Sequence, residues 1–315
     1  MRKFKGLLYT VIVVATLGCL SGCNFGWKTN YIYENGDKYT AGDRTISEKI
    51  ETIDVDYMSG DVTLIGTDGD TVTIKETSKK QLSDKQKVHT WVDGTTLYVR
   101  FCASAKGLDL NNLDKNLEIS IPKDVALKVI KADVSSGDVT FQNFESDSVD
   151  VHASSGDLNI ACAAKNVKIS ASSGDITLTQ RGDSDEISLK TSSGNVRADL
   201  ENAAKLNISV SSGGVSVKAS EVREIKAKVS SGSSEYRLAN APANMDVDSR
   251  SGNVTIYLPE QVDLTAEFSV SSGKVNYDQA FSKNGKLYVC GTGANQMKIH
   301  VSSGDVTVKV LDAES

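Results

Sequence analysis

The sequence predicts an all-β protein, a right-handed parallel β-helix or β-solenoid built from coils of roughly 19 residues. The first observation is a Ser-Gly tetrapeptide, typified by Ser154-Ser155-Gly156-Asp157, that recurs along most of the 315 residues. From Gly137 to Gly273 successive motif glycines are 19, 18, 20, 19, 19, 20 and 21 residues apart. A fixed period of this length is typical of repeat architectures in which each unit stacks on its neighbours. The motif glycines are Gly60, Gly137, Gly156, Gly174, Gly194, Gly213, Gly232, Gly252, Gly273 and Gly304.

The second observation is a period-two alternation of apolar residues on both sides of each glycine. Apolar or small residues lie seven, five and three positions before it, as Val167, Ile169 and Ala171 do before Gly174, and again two and four positions after it. Each unit is therefore predicted to contain two short, half-buried strands joined at the glycine, where the chain changes direction. An antiparallel array, in which each Gly-Asp pair forms a hairpin turn, is the alternative that fits the same spacing.

A serine stands directly before the glycine in every copy, whereas the position before that serine also holds Met58 and Arg250. If the strand alternation continues to the corner, this serine points inward, and the serines should stack as an internal row of hydroxyl groups. Such hydroxyl groups need partners, which the backbone of the turn would supply. The residues expected to form the structural turn are Ser136, Gly137, Ser155, Gly156, Ser173, Gly174, Ser193, Gly194, Ser212 and Gly213.

The N-terminal segment, residues 1–22, resembles a bacterial lipoprotein signal peptide. Basic residues precede an apolar stretch, and Leu20-Ser21-Gly22-Cys23 resembles the lipobox. That resemblance implies cleavage before Cys23 and attachment of diacylglyceryl to its sulfur, which would hold the protein on the extracytoplasmic side of the cell membrane. Removal of the three basic residues of this segment changes the formal net charge from −6 to −9, which disfavours nucleic acid as a partner.

The mature chain is expected to begin with a tether and an N-terminal cap at 23–48, followed by the repeat domain at 49–315. The 77-residue interval between Gly60 and Gly137 lacks the motif, and its strand-like segments are expected to be degenerate coils with insertions. A similar irregular stretch lies near the C-terminus. Each stretch contains a hairpin signal, Asp93-Gly94 or Asn284-Gly285, and each is expected to project a short arm.

The three cysteines beyond the signal peptide cannot all pair internally, because their number is odd. Cys162 follows the inward phase and is expected to be a small buried thiol. Cys102 and Cys290 could form a bridge only if the irregular segments that carry them meet in space.

No cofactor is implied, and the histidines are scattered singly, without metal-ligand spacing. Stacked carboxylates one position after the glycine, as at Asp138, Asp157 and Asp175, could collect calcium. The same position holds asparagine, glycine, serine or lysine in other coils, which favours a role in the turn.

Candidate binding and catalytic residues are few. Arg181-Gly182-Asp183 is the tripeptide that some host integrins bind, and it lies in the connection opposite the Ser-Gly corner. Three-residue matches of this kind arise easily by chance. Some β-solenoids are polysaccharide lyases or hydrolases, but the outward positions here gather no set of acids and bases, so an enzyme is the least favoured class.

Three features of the sequence are shared with a known family: the lipobox, the Ser-Ser-Gly-Asp repeats and the segments around Pro122 and Pro259. Residues 50–310 resemble the bacterial "putative adhesin" family of exported β-helical domains of unknown function. The resemblance implies a non-catalytic adhesin or binding scaffold with a protein or glycan ligand at the cell surface. Some members are encoded with envelope-stress systems, so an accessory or regulatory role in such a response is the alternative.

Overall fold

The computed structural model describes residues 28–125 and 127–311. Within these ranges the secondary structure is almost entirely β-strand, and its helical part is a single 3-10 turn at Gly36–Lys38. In the same part of the chain, no helix is long and apolar enough to cross a membrane. The predicted all-β class is therefore confirmed.

The strands are short towards both ends of the chain and long in the middle. Those of the N-terminal part are β1 (Lys28–Tyr31), β2 (Thr40–Ala41), β3 (Arg44–Ile46), β4 (Thr52–Ser59), β5 (Val62–Thr67), β6 (Val72–Ser78), β7 (His89–Asp93), β8 (Thr96–Arg100), β9 (Ala105–Asp109) and β10 (Lys115–Pro122). Those of the middle are β11 (Leu127–Ser136), β12 (Val139–Ser155), β13 (Leu158–Ser173), β14 (Ile176–Ser193), β15 (Val196–Ser212) and β16 (Val215–Ser231). Those of the C-terminal part are β17 (Ser234–Leu238), β18 (Asn244–Ser251), β19 (Val254–Leu258), β20 (Leu264–Ser272), β21 (Val275–Tyr277), β22 (Ser282–Asn284), β23 (Leu287–Cys290), β24 (Asn295–Ser303) and β25 (Val306–Val310).

The regular coils stack in parallel and in register. Each strand from β12 to β16 runs from one glycine corner to the next, and these strands pair in chain order. Equivalent residues face each other, so Val167 lies beside Val149 and Ile187. This pairing confirms the predicted parallel β-solenoid and excludes the antiparallel array for the regular coils.

The hydrophobic core is a column between the two sides of the coils. In the coil around Gly174, the inward residues Val167, Ile169, Ile176 and Leu178 are buried, as the alternation predicted. Burial of one aliphatic side chain of this size stabilises a fold by about 1.5–3 kcal/mol. Because the same positions repeat in each regular coil, the column extends along the stack.

At each motif glycine the chain makes a turn that only glycine fits. The φ angle is 122° at Gly156 and 134° at Gly174, a region that residues with a side chain rarely adopt. A Cβ atom on Gly156 would also overlap the carbonyl oxygen of Gly137 in the preceding coil. The glycine is therefore required both by the turn and by the close stacking of successive corners.

In the regular coils the serines before the glycines are exposed, so the predicted internal row of hydroxyl groups is wrong. Both Ser154 and Ser155 face solvent, because the chain starts to turn before the glycine and the strict alternation ends at Ala153. The stacking contact is made by the backbone, where the Gly137 N–H donates to the carbonyl of Ser155 at 3.1 Å. The same exposure holds for Ser136, Ser173, Ser193 and Ser212.

The interval between Gly60 and Gly137 adds no coils between those two corners. Strand β4 pairs directly with β11, and β5 pairs directly with β12. The intervening chain folds over the outer side of the first coil, with β8 parallel to β4 and β10 parallel to β5. Beyond them lie the antiparallel strands β7 and β6. The predicted run of degenerate coils is therefore wrong, and the interval contributes one outer coil.

At the C-terminal end, the order of the coils in space differs from their order in the chain. Strand β18 pairs with β24, and β24 pairs in turn with β20. The coil of Gly304 is thus inserted between those of Gly252 and Gly273, and the Gly273 coil is terminal. The hairpin of β22 and β23 then pairs with β20 along Leu264–Glu267. The Asp-Gly and Asn-Gly signals do mark hairpins, but both hairpins lie along the ends of the stack and do not project as arms.

Candidate binding surface

The side chains that directly follow the motif glycines form a hydrogen-bonded row along the corner. Asp138 Oδ1 accepts the backbone N–H of Asp157 at 2.8 Å, and Asp157 Oδ1 accepts that of Asp175 at 2.8 Å. The backbone N–H of Asn195 and the guanidinium of Arg197 bind the next carboxylate and lower the pKa of Asp175. The row therefore caps backbone groups from coil to coil, in agreement with the turn interpretation. In residues 28–125 and 127–311, no group of three or more His, Cys, Asp or Glu side chains is placed to hold a metal ion.

Arg181, Gly182 and Asp183 lie within β14, at the bend opposite the glycine corner. They are exposed, but the next coil engages their polar groups. Arg181 pairs with Asp199 at 3.0 Å, and Asp183 Oδ1 accepts a hydrogen bond from Asn202 Nδ2 at 3.0 Å. The tripeptide is thus part of the sheet surface, and its geometry is not that of a protruding integrin-type loop.

A groove of about 760 Å³ lies on the same side of the stack, close to the N-terminal end. Several of its charged side chains form ion pairs with each other. Glu51 contacts Lys128 at 2.7 Å and Lys49 at 2.6 Å, and these two lysines lower the pKa of Glu51 to about 2. Lys165 pairs with Asp147 at 2.6 Å in the same way. The lysines that line the groove at these positions are therefore already bound to carboxylates.

The cysteines Cys102, Cys162 and Cys290 are buried free thiols. Cys102 follows β8 at one end of the stack and Cys290 ends β23 at the other, so the bridge that the sequence left open does not form. Burial raises the pKa of Cys102 to about 11 and that of Cys162 to about 12. These two thiols therefore stay protonated and unreactive near neutral pH.

The N-terminal end of the stack is closed by its outer coil. Leu97 of β8 and Leu117 of β10 are fully buried. Next to them Lys115 and Glu76 form a buried ion pair at 2.8 Å, and Tyr57 OH donates to the same carboxylate at 3.1 Å. Burial lowers the pKa of Lys115, and the carboxylate of Glu76 opposes that shift.

Aromatic rings extend this closed end towards the start of the chain. Trp91 stacks on Tyr98 with ring centroids 5.3 Å apart, and the guanidinium of Arg100 lies 5.2 Å from the Tyr98 ring. The row continues from Trp91 through Tyr39, Tyr33 and Tyr31. Strands β1, β2 and β3 pair with β9, β7 and β6, so the residues before the first motif lie against this end.

The C-terminal end is open by comparison. In the terminal coil the inward residues Phe268, Val270 and Val275 are only partly buried, and Tyr277 is 41% exposed. The corresponding residues of the next coil inward are at most 1% exposed; they are Ile299, Val301, Val306 and Val308. The hairpin of β22 and β23 covers only part of this end, so an apolar surface remains accessible.

The open end is lined by packed aromatic rings. Tyr288 of the hairpin lies edge-on to Phe268 at 5.0 Å and to Tyr277 at 5.5 Å between ring centroids. Phe281 contacts all three of these rings at 5.5 to 6.3 Å. Leu287 beside them is 40% exposed, and Lys283 Nζ lies 5.2 Å from the centre of the Tyr288 ring. We refer to this surface, formed by Phe268, Val270, Val275, Tyr277, Phe281, Leu287 and Tyr288, as the aromatic end.

The aromatic end was not predicted from the sequence, although a signal for it was present. Inward positions of the Gly273 coil carry large rings at Phe268 and Tyr277, where Ile169 and Leu178 stand in the Gly174 coil. Its exposure was not predictable, because it arises from the inserted Gly304 coil. The predicted lipidation residue Cys23 lies outside the described residues.

The family of the chain follows from a match over its repeat domain. The model of the Toastrack DUF4097 family matches residues 50–309. The chain belongs to this family. The resemblance to a bacterial family of β-helical domains, predicted from the repeats, is thereby confirmed. The Toastrack match covers the regular coils and the irregular coils near each end.

Solved structures with a likeness to this Toastrack chain come from several bacteria. A "putative adhesin" from Parabacteroides distasonis is 14% identical, with 88% of this chain and 100% of that chain covered and a TM-score of 0.42. A "putative cell adhesion protein" from Clostridium sporogenes is 13% identical, with 87% and 100% covered and a TM-score of 0.28. A "putative lipid binding protein" from Parabacteroides distasonis is 15% identical, with 87% and 97% covered and a TM-score of 0.27. No curated protein matches the chain.

Proposed function

We propose that this member of the Toastrack DUF4097 family is a lipid-anchored, non-catalytic binding module on the extracytoplasmic face of the cell membrane. In this proposal Cys23 carries the anchor, and the aromatic end binds a protein or glycan ligand. The single observation that carries the proposal is the difference between the two ends of the stack. At the N-terminal end the inward residues of the outer coil, such as Leu97 and Leu117, are buried, whereas inward residues of the terminal coil at the C-terminal end, such as Tyr277, are exposed.

A lipid at Cys23 would orient the molecule with its closed end next to the membrane and its aromatic end away from the membrane. Four residues lie between Cys23 and the start of β1 at Lys28, and the five residue steps from Cys23 to Lys28 span about 17 Å at most. The closed end would therefore lie near the membrane. The ten motif corners, each about 4.8 Å from the next, would place the aromatic end roughly 40 Å further out.

The chemistry of the aromatic end supports a binding role. Exposed apolar patches on soluble domains commonly mark interaction sites, and aromatic side chains dominate the binding energy of many interfaces. The groove and the tripeptide at Arg181 lack this aromatic character, and Lys128 and Arg181 in them are bound to carboxylates of this chain.

The anchor is tested by lipid labelling of whole cells. Cys23→Ala should abolish incorporation of labelled lipid, because a diacylated sulfur supplies the two chains that stable anchoring needs. The N-terminal segment holds one other cysteine, Cys19. If labelling persists in the Cys23→Ala variant and is lost in Cys19→Ala, the anchor was assigned to the wrong cysteine.

The binding role is tested with beads coated with the chain from Asn24 onward, which contains every described strand. Beads are mixed with washed cells of the producing bacterium, and attachment is counted. The double substitution Tyr277→Ser and Leu287→Ser should reduce attachment by roughly tenfold or more, the effect expected from loss of a central apolar contact. Ile32→Ser is the matched control, because Ile32 is 65% exposed at the opposite end. Equal attachment of both variants would contradict the proposal.

A further inference from the structure

The terminal coil presents an unpaired strand edge next to the aromatic end. In the coils behind it, the residue two positions after the glycine donates its N–H to the next coil, as Val306 does to the carbonyl of Lys274 at 2.9 Å. Val275 occupies that position in the terminal coil. The backbone of β21 pairs with β25 on one side, and the described chain places no strand on its other side.

Alternation along β21 determines which backbone N–H and C=O groups point away from the stack of coils. Lys274 and Asp278 bond towards the stack, through the Lys274 carbonyl and the Asp278 N–H. Successive residues of a strand direct their backbone groups to opposite sides, so the N–H and C=O groups of Val275 and Tyr277 face away from the stack. This edge can accept one more strand.

We propose that the edge of β21 pairs with the same edge of a second copy of this chain, antiparallel and about a two-fold axis at Asn276. Val275 of one copy then lies opposite Tyr277 of the other, and the two outward-facing pairs exchange four backbone hydrogen bonds. The proposal rests on the proposed function, because it identifies the partner of the aromatic end as another molecule of this protein.

Charge complementarity selects this register. Centring the two-fold axis on Asn276 places Lys274 opposite Asp278 of the partner, twice by symmetry. An axis at Val275 or Tyr277 would also pair the free backbone N–H and C=O groups of the two copies. In those registers, however, Lys274 of one copy no longer lies opposite Asp278 of the other. Opposite charges on facing strand positions favour pairing, whereas like charges there disfavour it.

The apolar side chains support the same arrangement. Val275 and Tyr277 are on the inward face of β21, so pairing brings each against its counterpart in the partner and continues the hydrophobic column across the junction. Within β20 the hairpin strand β23 pairs with Leu264–Glu267 alone and leaves the edge around Gly273 open. An isologous two-fold contact of this kind is the commonest arrangement in homo-oligomers.

The consequence is a contact between membranes. If Cys23 carries the anchor as proposed above, the two anchors would be at the far ends of the paired molecules, and two copies joined at their aromatic ends would bridge two facing surfaces. The contact between two β21 edges is small, so one pair of molecules would hold two surfaces together only weakly. Many such pairs between the same two surfaces would strengthen attachment by multivalency.

The pairing is tested by sedimentation of the chain from Asn24 onward, with charge-reversed variants. Lys274→Glu and Asp278→Lys each place like charges opposite one another twice, and each alone should weaken self-association by roughly tenfold. A mixture of the two variants should associate as strongly as the native chain, because both facing pairs are again opposite in sign. Lys168→Glu, in an exposed ion pair of an interior coil, should leave association unchanged. Failure of the mixture to recover association would overturn the proposed register.

Disulfide trapping provides the second measurement. Asn276→Cys should form a covalent dimer under mild oxidation, because residues on the axis form a non-hydrogen-bonded pair whose spacing suits a disulfide. Asn159→Cys occupies the same position in an interior coil and should stay monomeric. A chain that sediments as a monomer at all concentrations and traps no dimer would refute self-pairing. If such a chain still attaches to cells lacking this protein, and does so through Tyr277 and Leu287, the proposed function stands with a different ligand.

Discussion

The motif glycine has two roles. Its φ angle allows the chain to turn, and its lack of a side chain allows successive corners to stack closely. Its role was predictable, because a repeated change of direction at a fixed spacing requires a residue that tolerates unusual φ angles. The direction of the neighbouring serine was not predictable by the same reasoning. Alternation describes a strand, and Ser155 already belongs to the turn, where the backbone rotates its side chain into solvent.

The first prediction concerns Gly174, where an added Cβ would overlap the carbonyl oxygen of Gly156. Gly174→Ala should lower the free energy of unfolding by about 1–3 kcal/mol for the unfavourable φ angle. The overlap with the preceding coil should add about 1–3 kcal/mol. Chemical denaturation monitored by circular dichroism measures the change.

Gly182 provides the matched control, because its φ angle of 71° is also positive but a Cβ there meets no atom within 4 Å. Gly182→Ala should cost only the conformational term, about 1–2 kcal/mol. Equal losses for the two variants would show that close stacking at the corner contributes nothing.

The chain follows the same kind of path at both ends of the stack. The chain forms an outer coil and then returns to a position nearer the middle, with β8 and β10 outside the Gly60 coil and the Gly273 coil outside that of Gly304. The sequence indicated two similar irregular units. Their positions in the stack depend on pairing between distant strands, which local alternation does not encode.

The second prediction concerns the buried ion pair of the closed end. Lys115→Met should destabilise the fold by about 3–5 kcal/mol, because it leaves the buried carboxylate of Glu76 without its cation. Lys128→Met removes an exposed partner of Glu51 and should change stability little. Equal shifts in the denaturation midpoint of the two variants would contradict the buried role of Lys115.

The third prediction concerns the independence of the regular coils. Deleting Asp175–Gly194 joins Gly174 to Asn195 and brings β13 beside β15, whose inward residues are in phase because both pair in register with β14. In a solenoid each coil contacts mainly its neighbours, so the shortened chain should fold cooperatively and lose one coil's share of stability.

A shorter deletion, Asp175–Ser184, is the control for this experiment. It removes one side of a coil and puts the remaining strand out of phase, so the product should not fold cooperatively. The longer deletion also removes Arg181, Gly182 and Asp183. If the longer product also fails to fold, the coils are not interchangeable; if it folds but loses cell attachment, the tripeptide is a binding site after all.

At the scale of the whole molecule, the sequence predicted the solenoid, its period and its inward positions, since these follow from repeated local patterns. It did not predict the aromatic end. Phe268 and Tyr277 occupy ordinary inward positions, and they are exposed because no complete coil follows theirs in space. The buried state of Lys115 escaped prediction for a similar reason, because its burial depends on strands from three separate parts of the chain.

The central claim is that the molecule stands on its closed end with the aromatic end directed away from the membrane. Its most direct test is energy transfer between a single labelled cysteine and acceptor lipids, with the lipidated protein in vesicles. Labels at Ile32→Cys and Leu287→Cys, each in a Cys290→Ser background, mark the two ends, and the buried native thiols at Cys102 and Cys162 should not react. We predict strong transfer from position 32 and weak transfer from position 287. Equal transfer from both positions, or stronger transfer from position 287, would contradict this orientation.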